Sequence, residues 1–262
     1  MPMAPDSPAF LSRRTFLSVA ASSSAGVLAA CSIPGLSDPT FEGSTRLSAR
    51  PGTPSSTGPL GLRRLGLESS IDGSVYVPAS YTPASPAPLV LLLHGAGGNA
   101  ADFITPFIAE ADQTGHVLLA VDSRKVTWDF VGGTFGPDIA FIDNALVDTY
   151  SRYRIDAQRV AIGGFSDGAT MSLAVGLSNG DLISHVVAWT PGALIDTKHR
   201  GAPDVFISHG SLDAIFPVGP NARAIVNELR DQGYQVEYRE FNGAHVLPAD
   251  IMHESMVWMA TS

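Results

Sequence analysis

The 262-residue chain has a single cysteine, Cys31, so no intrachain disulfide can form and a cysteine-based metal site is excluded. It has no apolar run of the length a bilayer demands, roughly 18 residues or more. Charge is sparse: 16% of the residues, with 25 acidic against 16 basic and a formal net charge of −9. That balance argues against nucleic acid or an anionic lipid surface as a partner. There is no internal repeat and no block of like charge. What the chain does have is 45% hydrophobic residues, enough to build a core rather than a disordered chain. Its 26 glycines and 19 prolines make it rich in turns, so loops are expected to carry the chemistry.

Three regions are expected: 1–30, 31–58 and 59–262. Ser12-Arg13-Arg14-Thr15-Phe16-Leu17 followed by an apolar, Ala- and Ser-rich stretch to Ala30 has the build of an export signal. The hexapeptide resembles the twin-arginine motif. Leu28-Ala29-Ala30-Cys31 resembles the bacterial lipobox, in which the cysteine thiol carries the lipid. Together they imply an exported protein, lipid-anchored on the outer face of the cytoplasmic membrane or in the periplasm, touching the membrane through the anchor alone. From Cys31 to Gly58 the mostly Ser, Thr, Pro and Gly composition reads as a flexible linker.

Beyond it, Leu89–Leu93 is an unbroken apolar run that suits a strand buried on both faces. Runs at 117–121, 160–162, 185–189 and 205–207 are alike, and helical stretches are predicted at roughly 99–113, 138–152, 167–179 and 219–232. The alternation predicts an α/β fold with a mostly parallel central sheet, helices on both faces and little or no cap domain. Arg63–Val77 reads as an antiparallel hairpin turning at Asp72-Gly73. Functional groups are expected on loops beyond the C-terminal strand ends.

G-x-S-x-G occurs twice, as Gly164-Phe165-Ser166-Asp167-Gly168 and Gly176-Leu177-Ser178-Asn179-Gly180. A nucleophile elbow needs a strand before it and a helix after it. Only Ser166 stands between a strand, 159–162, and a helix, 169–175; Ser178 closes that helix. Ser166 is therefore the candidate nucleophile.

A serine hydroxyl needs a base, and histidine is the usual one. His245 lies in a short loop after the strand 236–241, whereas His253 falls inside the closing helix. The acid should sit on a loop between serine and histidine. Asp213, after the strand 205–207, meets that need. His94-Gly95-Ala96-Gly97-Gly98 supplies glycine-rich backbone after the first long strand, so the Ala96 and Asp167 N–H groups are the candidate oxyanion donors. The glycines lack the lysine of a phosphate-binding Walker loop.

These four motifs, in this order, resemble the α/β-hydrolase superfamily. The nearest groups are the phospholipase/carboxylesterases and the polyhydroxybutyrate depolymerase-like esterases, over roughly residues 62–260. The resemblance implies hydrolysis of a small-molecule carboxylic ester, short-chain or aryl, through a Ser166–His245–Asp213 triad, with no metal and no cofactor. A polyester or other acyl hydrolase, and a non-catalytic lipid-anchored binding protein, are the alternative readings. Trp128, Phe130 and Phe135, in the chief insertion, and Phe165 beside the serine are candidates to wall an acyl or aryl pocket.

Overall fold

The computed structural model describes residues 42–261. The export signal, the lipobox and Cys31 lie outside the described residues.

Among the described residues ten strands form, in chain order: β1 (Glu42–Gly43), β2 (Gly61–Arg64), β3 (Gly73–Val77), β4 (Ala87–Leu93), β5 (Val117–Val121), β6 (Thr134–Phe135), β7 (Ile155–Phe165), β8 (His185–Trp189), β9 (Asp204–Gly210) and β10 (Val236–Phe241). The helices are α1 (Ala100–Ile104), α2 (Ile108–Thr114), α3 (Pro137–Arg152), α4 (Asp167–Ser178), α5 (Ala224–Asp231) and α6 (Ala249–Thr261). Eight strands make one sheet in the order β10-β9-β8-β7-β4-β5-β3-β2. The six from β10 to β5 run parallel, while β3 and β2 pair antiparallel at one edge.

The apolar run of β4 is explained by its place in the middle of this sheet. Leu89, Leu91 and Leu93 enter the core on one face, and Val90 and Leu92 the core on the other. A strand covered on both sides has no polar face to present, so the period-two alternation disappears. The first core takes the apolar sides of α3 and α4; the second takes α1, α2 and α6.

Two expectations need correction. The hairpin exists, since Gly61 pairs with Val77 and Arg64 with Ser74, but Asp72-Gly73 is not its turn. The connection spans 65–72, and the buried Asp72 carboxylate organises it by accepting from the N–H groups of Gly66 (2.8 Å), Leu67 (3.2 Å) and Glu68 (3.4 Å). Gathering three successive donors onto one carboxylate makes a wider loop than a two-residue turn.

Nor does a free linker run to residue 58. Residues 45–58 are strapped across the ends of α3 and α4. Leu47 and Ala49 are buried. The fully buried Asn179 amide accepts from Leu47 N–H (2.9 Å) and donates to Thr45 O (2.7 Å). Asp143 accepts from the N–H groups of Ser48 and Ala49, both at 2.8 Å. Arg46 and Arg50 both pair with Asp181, which holds its carboxyl far below the ordinary carboxylate range, chiefly through the Arg46 hydrogen bonds.

A chain beginning at residue 59 should therefore be less stable than one beginning at residue 42. Exposing the pocket of Leu47 and Ala49 and orphaning a buried amide costs on the order of 4 kcal/mol. For a domain of this size that is roughly 10 °C in Tm, to be read by calorimetry on the two chains. Equal melting temperatures would show the strap to be superficial.

Candidate active site

Ser166 sits at the sharp step from β7 into α4, with φ 58° and ψ −121°. This positive φ is costly for a residue with a side chain, so the surrounding structure must hold it. It does so through backbone. Ser166 N–H donates to Trp189 O at 2.9 Å, and Ser166 O accepts from Ala169 N–H at 2.9 Å. The flanking glycines are needed for close approach. A Cβ on Gly164 would fall 2.1 Å from Gly168 O, and one on Gly168 would fall 2.2 Å from Leu93 O. The second G-x-S-x-G is closely packed at its glycines too, but its serine is not at a strained elbow. Ser178 is buried at the end of α4, its hydroxyl donating to Ala174 O at 2.7 Å.

The three side chains singled out from the sequence meet. His245 Nε2 lies 2.8 Å from Ser166 Oγ, and His245 Nδ1 lies 2.6 Å from Asp213 Oδ2. The partners assign the protons: the Ser166 hydroxyl donates to Nε2, and Nδ1–H donates to the carboxylate. Asp213 closes the loop after β9. Its other oxygen, Oδ1, accepts from the N–H groups of Ile215 (2.8 Å) and Phe216 (2.9 Å). Burial alone would raise this carboxyl; the hydrogen bonds from His245 and the two backbone donors outweigh it and leave the group below its ordinary value. Asp213 therefore stays ionised opposite the imidazole, as the acid of a triad must.

Three of the other histidines are engaged elsewhere. His94 is buried beneath the glycine-rich loop, and burial pushes its ring down in pKa. Ser123 N–H donates to His94 Nε2 at 3.1 Å, so the proton sits on Nδ1, 2.7 Å from Gly95 O. His209, fully buried at the end of β9, is also driven toward its neutral form by burial; its Nε2–H donates to Phe216 O at 2.7 Å and lies 3.3 Å from Asp213 Oδ2. His253 pairs with Glu110 on the surface.

The two candidate oxyanion donors come from touching stretches of backbone. A Cβ on Gly95 would stand 3.3 Å from Ser166 Cβ, so the loop carrying Ala96 lies against the nucleophile. Among the described residues nothing accepts from Ala96 N–H. Asp167 opens α4, and the first N–H groups of a helix have no acceptor inside it.

The four aromatic side chains named as candidate pocket walls are placed differently. Trp128 is 1% exposed and turned inward: its Nε1–H donates to His94 O at 2.9 Å and its ring packs 5.0 Å from that of His94. Phe130 packs against the core on the α3 side, and Phe135 is buried beside β1. An indole in a loop that must be braced finds a backbone acceptor sooner than a substrate. Phe165 does border the site, its ring 5.1 Å from that of His245. Phe216, which sequence reasoning missed, faces the same imidazole at 5.3 Å. Its only local signal is its place three residues after Asp213, where the turn held by the carboxylate ends.

A mostly parallel sheet with helices on both faces, a strained serine on a strand-to-helix elbow, and aspartate and histidine following in that order make an α/β-hydrolase-like fold with a Ser–His–Asp line at its strand ends. Residues 139–261, from α3 to the end of α6, match the family model described as phospholipase/carboxylesterase. No curated protein matches the sequence. Among solved structures, esterase PE8 shares the fold at a TM-score of 0.58 and 20% identity, over 73% of this chain and 98% of that one. The fluorophosphonate-binding serine hydrolase FphF of Staphylococcus aureus does so at 0.61 and 14%, over 78% and 100%. The carboxylesterase of Bacillus cereus does so at 0.56 and 19%, over 73% and 94%.

Proposed function

We propose that this protein hydrolyses small carboxylic esters, short-chain or aryl, through an acyl-enzyme intermediate. The observation that carries the reading is the continuous hydrogen-bonded line Ser166–His245–Asp213. His245 Nε2 takes the hydroxyl proton as Ser166 Oγ bonds to the ester carbonyl carbon. The carbonyl oxygen becomes an oxyanion facing the Ala96 and Asp167 N–H groups. On collapse of the intermediate His245 returns the proton to the departing alcohol, leaving the acyl group on Ser166. Water, deprotonated by the same nitrogen, then releases the acid and restores the serine.

The surroundings support an apolar substrate body. The three most exposed large hydrophobic side chains of the described residues, Val126 (77%), Leu212 (67%) and Ile215 (63%), all stand on loops that carry the site. The family match and the esterase fold neighbours agree with ester chemistry. From the sequence we also propose export and lipid anchoring through Cys31. The full chain should then pellet with membranes, and a Cys31→Ser chain should not.

The test is a p-nitrophenyl ester series from acetate to palmitate, beside labelling by a fluorophosphonate probe. Turnover highest on the short members, with labelling at Ser166, is expected. A long-chain optimum would move the substrate class to lipids or polyesters. Absence of both turnover and labelling would leave a binding protein.

A further inference from the structure

The segment between β5 and α3 contains a contact that the triad chemistry does not use. Thr127 donates its hydroxyl to Asp167 Oδ2 at 2.7 Å. Its two neighbours in sequence hold the opposite wall of the site. Val126 O accepts from Gly97 N–H at 2.7 Å, directly after Ala96, and Trp128 Nε1–H donates to His94 O at 2.9 Å. Three consecutive residues thus tie the loop carrying one oxyanion donor to the residue carrying the other.

The segment has the rigidity for this. Asp138 accepts from Arg124 N–H and Asp129 N–H, both at 2.6 Å, and Asp129 returns a bond from Asp138 N–H at 3.1 Å. Both ends of the Val126-Thr127-Trp128 run are thereby pinned to the start of α3.

A carboxylate on the first residue of α4 is awkward for an oxyanion hole. It brings negative charge to the place where negative charge must develop, and an unheld side chain there can turn toward the free N–H groups of the same helix end. A hydroxyl donated to Oδ2 fixes the rotamer and draws the charge to the far wall.

We propose that Thr127 is a positioning residue of the oxyanion hole, acting through Asp167 to keep the carboxylate turned away and the Asp167 N–H aimed at the reacting carbonyl oxygen. The inference rests on the ester-hydrolase reading and specifies how one of its donors is set. Thr127 and Asp167 are both half-buried, so water can replace the lost hydroxyl and the fold need not suffer.

The experiment is a double-mutant cycle on the full chain, with kcat, KM, the fluorophosphonate inactivation rate and Tm measured for Thr127→Val, Thr127→Ser, Asp167→Ala and the double variant. Deleting a whole oxyanion donor costs about 100- to 1000-fold, so misaiming one predicts roughly a tenfold fall in kcat for Thr127→Val. KM and Tm should stay near wild type, inactivation should slow in parallel, and Thr127→Ser should restore the rate. In the Asp167→Ala background the same change should have almost no effect. Wild-type kcat in Thr127→Val, an equal loss in both backgrounds, or a loss that follows Tm would each overturn the proposal. An active, labelled wild type with an unaffected Thr127→Val sinks this inference alone. A wild type that neither turns over nor labels removes the ester-hydrolase reading and the inference with it.

Discussion

Replacing Ser166 by alanine is expected to lower kcat on the best p-nitrophenyl ester by about 10⁶-fold, the size of loss found when the nucleophile of a triad is deleted. In the proposed reaction Oγ bonds to the acyl carbon, and among the described residues His245 Nε2 has no other partner than this hydroxyl. His245→Ala should fall in the same range, and the double variant should be no worse than either alone, because the two side chains act as one unit. Asp213→Asn should cost about 10⁴-fold while leaving the fold intact, since an amide can favour the wrong imidazole tautomer. Folding should be little disturbed by Ser166→Ala: alanine inherits the same positive φ, and the change removes one hydroxyl at a site 9% exposed. A Tm within about 2 °C of wild type is expected. Retention of even a tenth of the activity would remove Ser166 from the nucleophile's role.

Gly168→Ala should be strongly destabilising for a single added methyl group. The new Cβ would lie 2.2 Å from Leu93 O and 2.5 Å from His94 O. Both are backbone atoms at the end of the central strand β4, fixed by pairing to β5 and β7, so neither can move aside as a side-chain tip would. Overpacking against fixed atoms costs on the order of 3 kcal/mol. That is roughly 6–12 °C in Tm for about 200 residues. The relief available is a shift of α4 away from β4, which would separate Asp167 N–H from Ala96 N–H and lower kcat as well. Gly132→Ala is the control: the nearest heavy atom is Thr134 Cγ2 at 4.0 Å, so stability and rate should both hold. Gly168→Ala melting with wild type would mean that α4 is not seated against β4 as closely as these distances require.

Much of the geometry around Ser166 was legible in the sequence because its signals are local. The unbroken runs of β4 and β5 report burial on both faces of a sheet. The Gly164-Phe165-Ser166-Asp167-Gly168 stretch reports a turn that only glycines can pack. Ser178 could be set aside because its G-x-S-x-G follows a helix rather than a strand. Asp213 and His245 could be chosen because each lies just beyond a strand end, where an open α/β sheet presents its loops.

The packing of residues 45–58, of Trp128, of Phe216 and of Thr127 was not legible. Residues 45–58 have a linker's composition, yet Arg46 and Leu47 find Asp181 and Asn179 more than 130 positions along the chain. Trp128 looks like a substrate wall, but whether an aromatic side chain faces a ligand or a backbone carbonyl depends on which side of its loop the sheet lies. Phe216 at His245 and Thr127 at Asp167 are likewise contacts between loops joined by no local period. By itself, then, the sequence determined the strands, the helices, the elbow and the order of Ser166, Asp213 and His245 along the strand ends, since these follow from propensity, periodicity and chain order. The tertiary structure alone decided what surrounds them, because pairing between distant loops depends on where the whole sheet delivers each strand end.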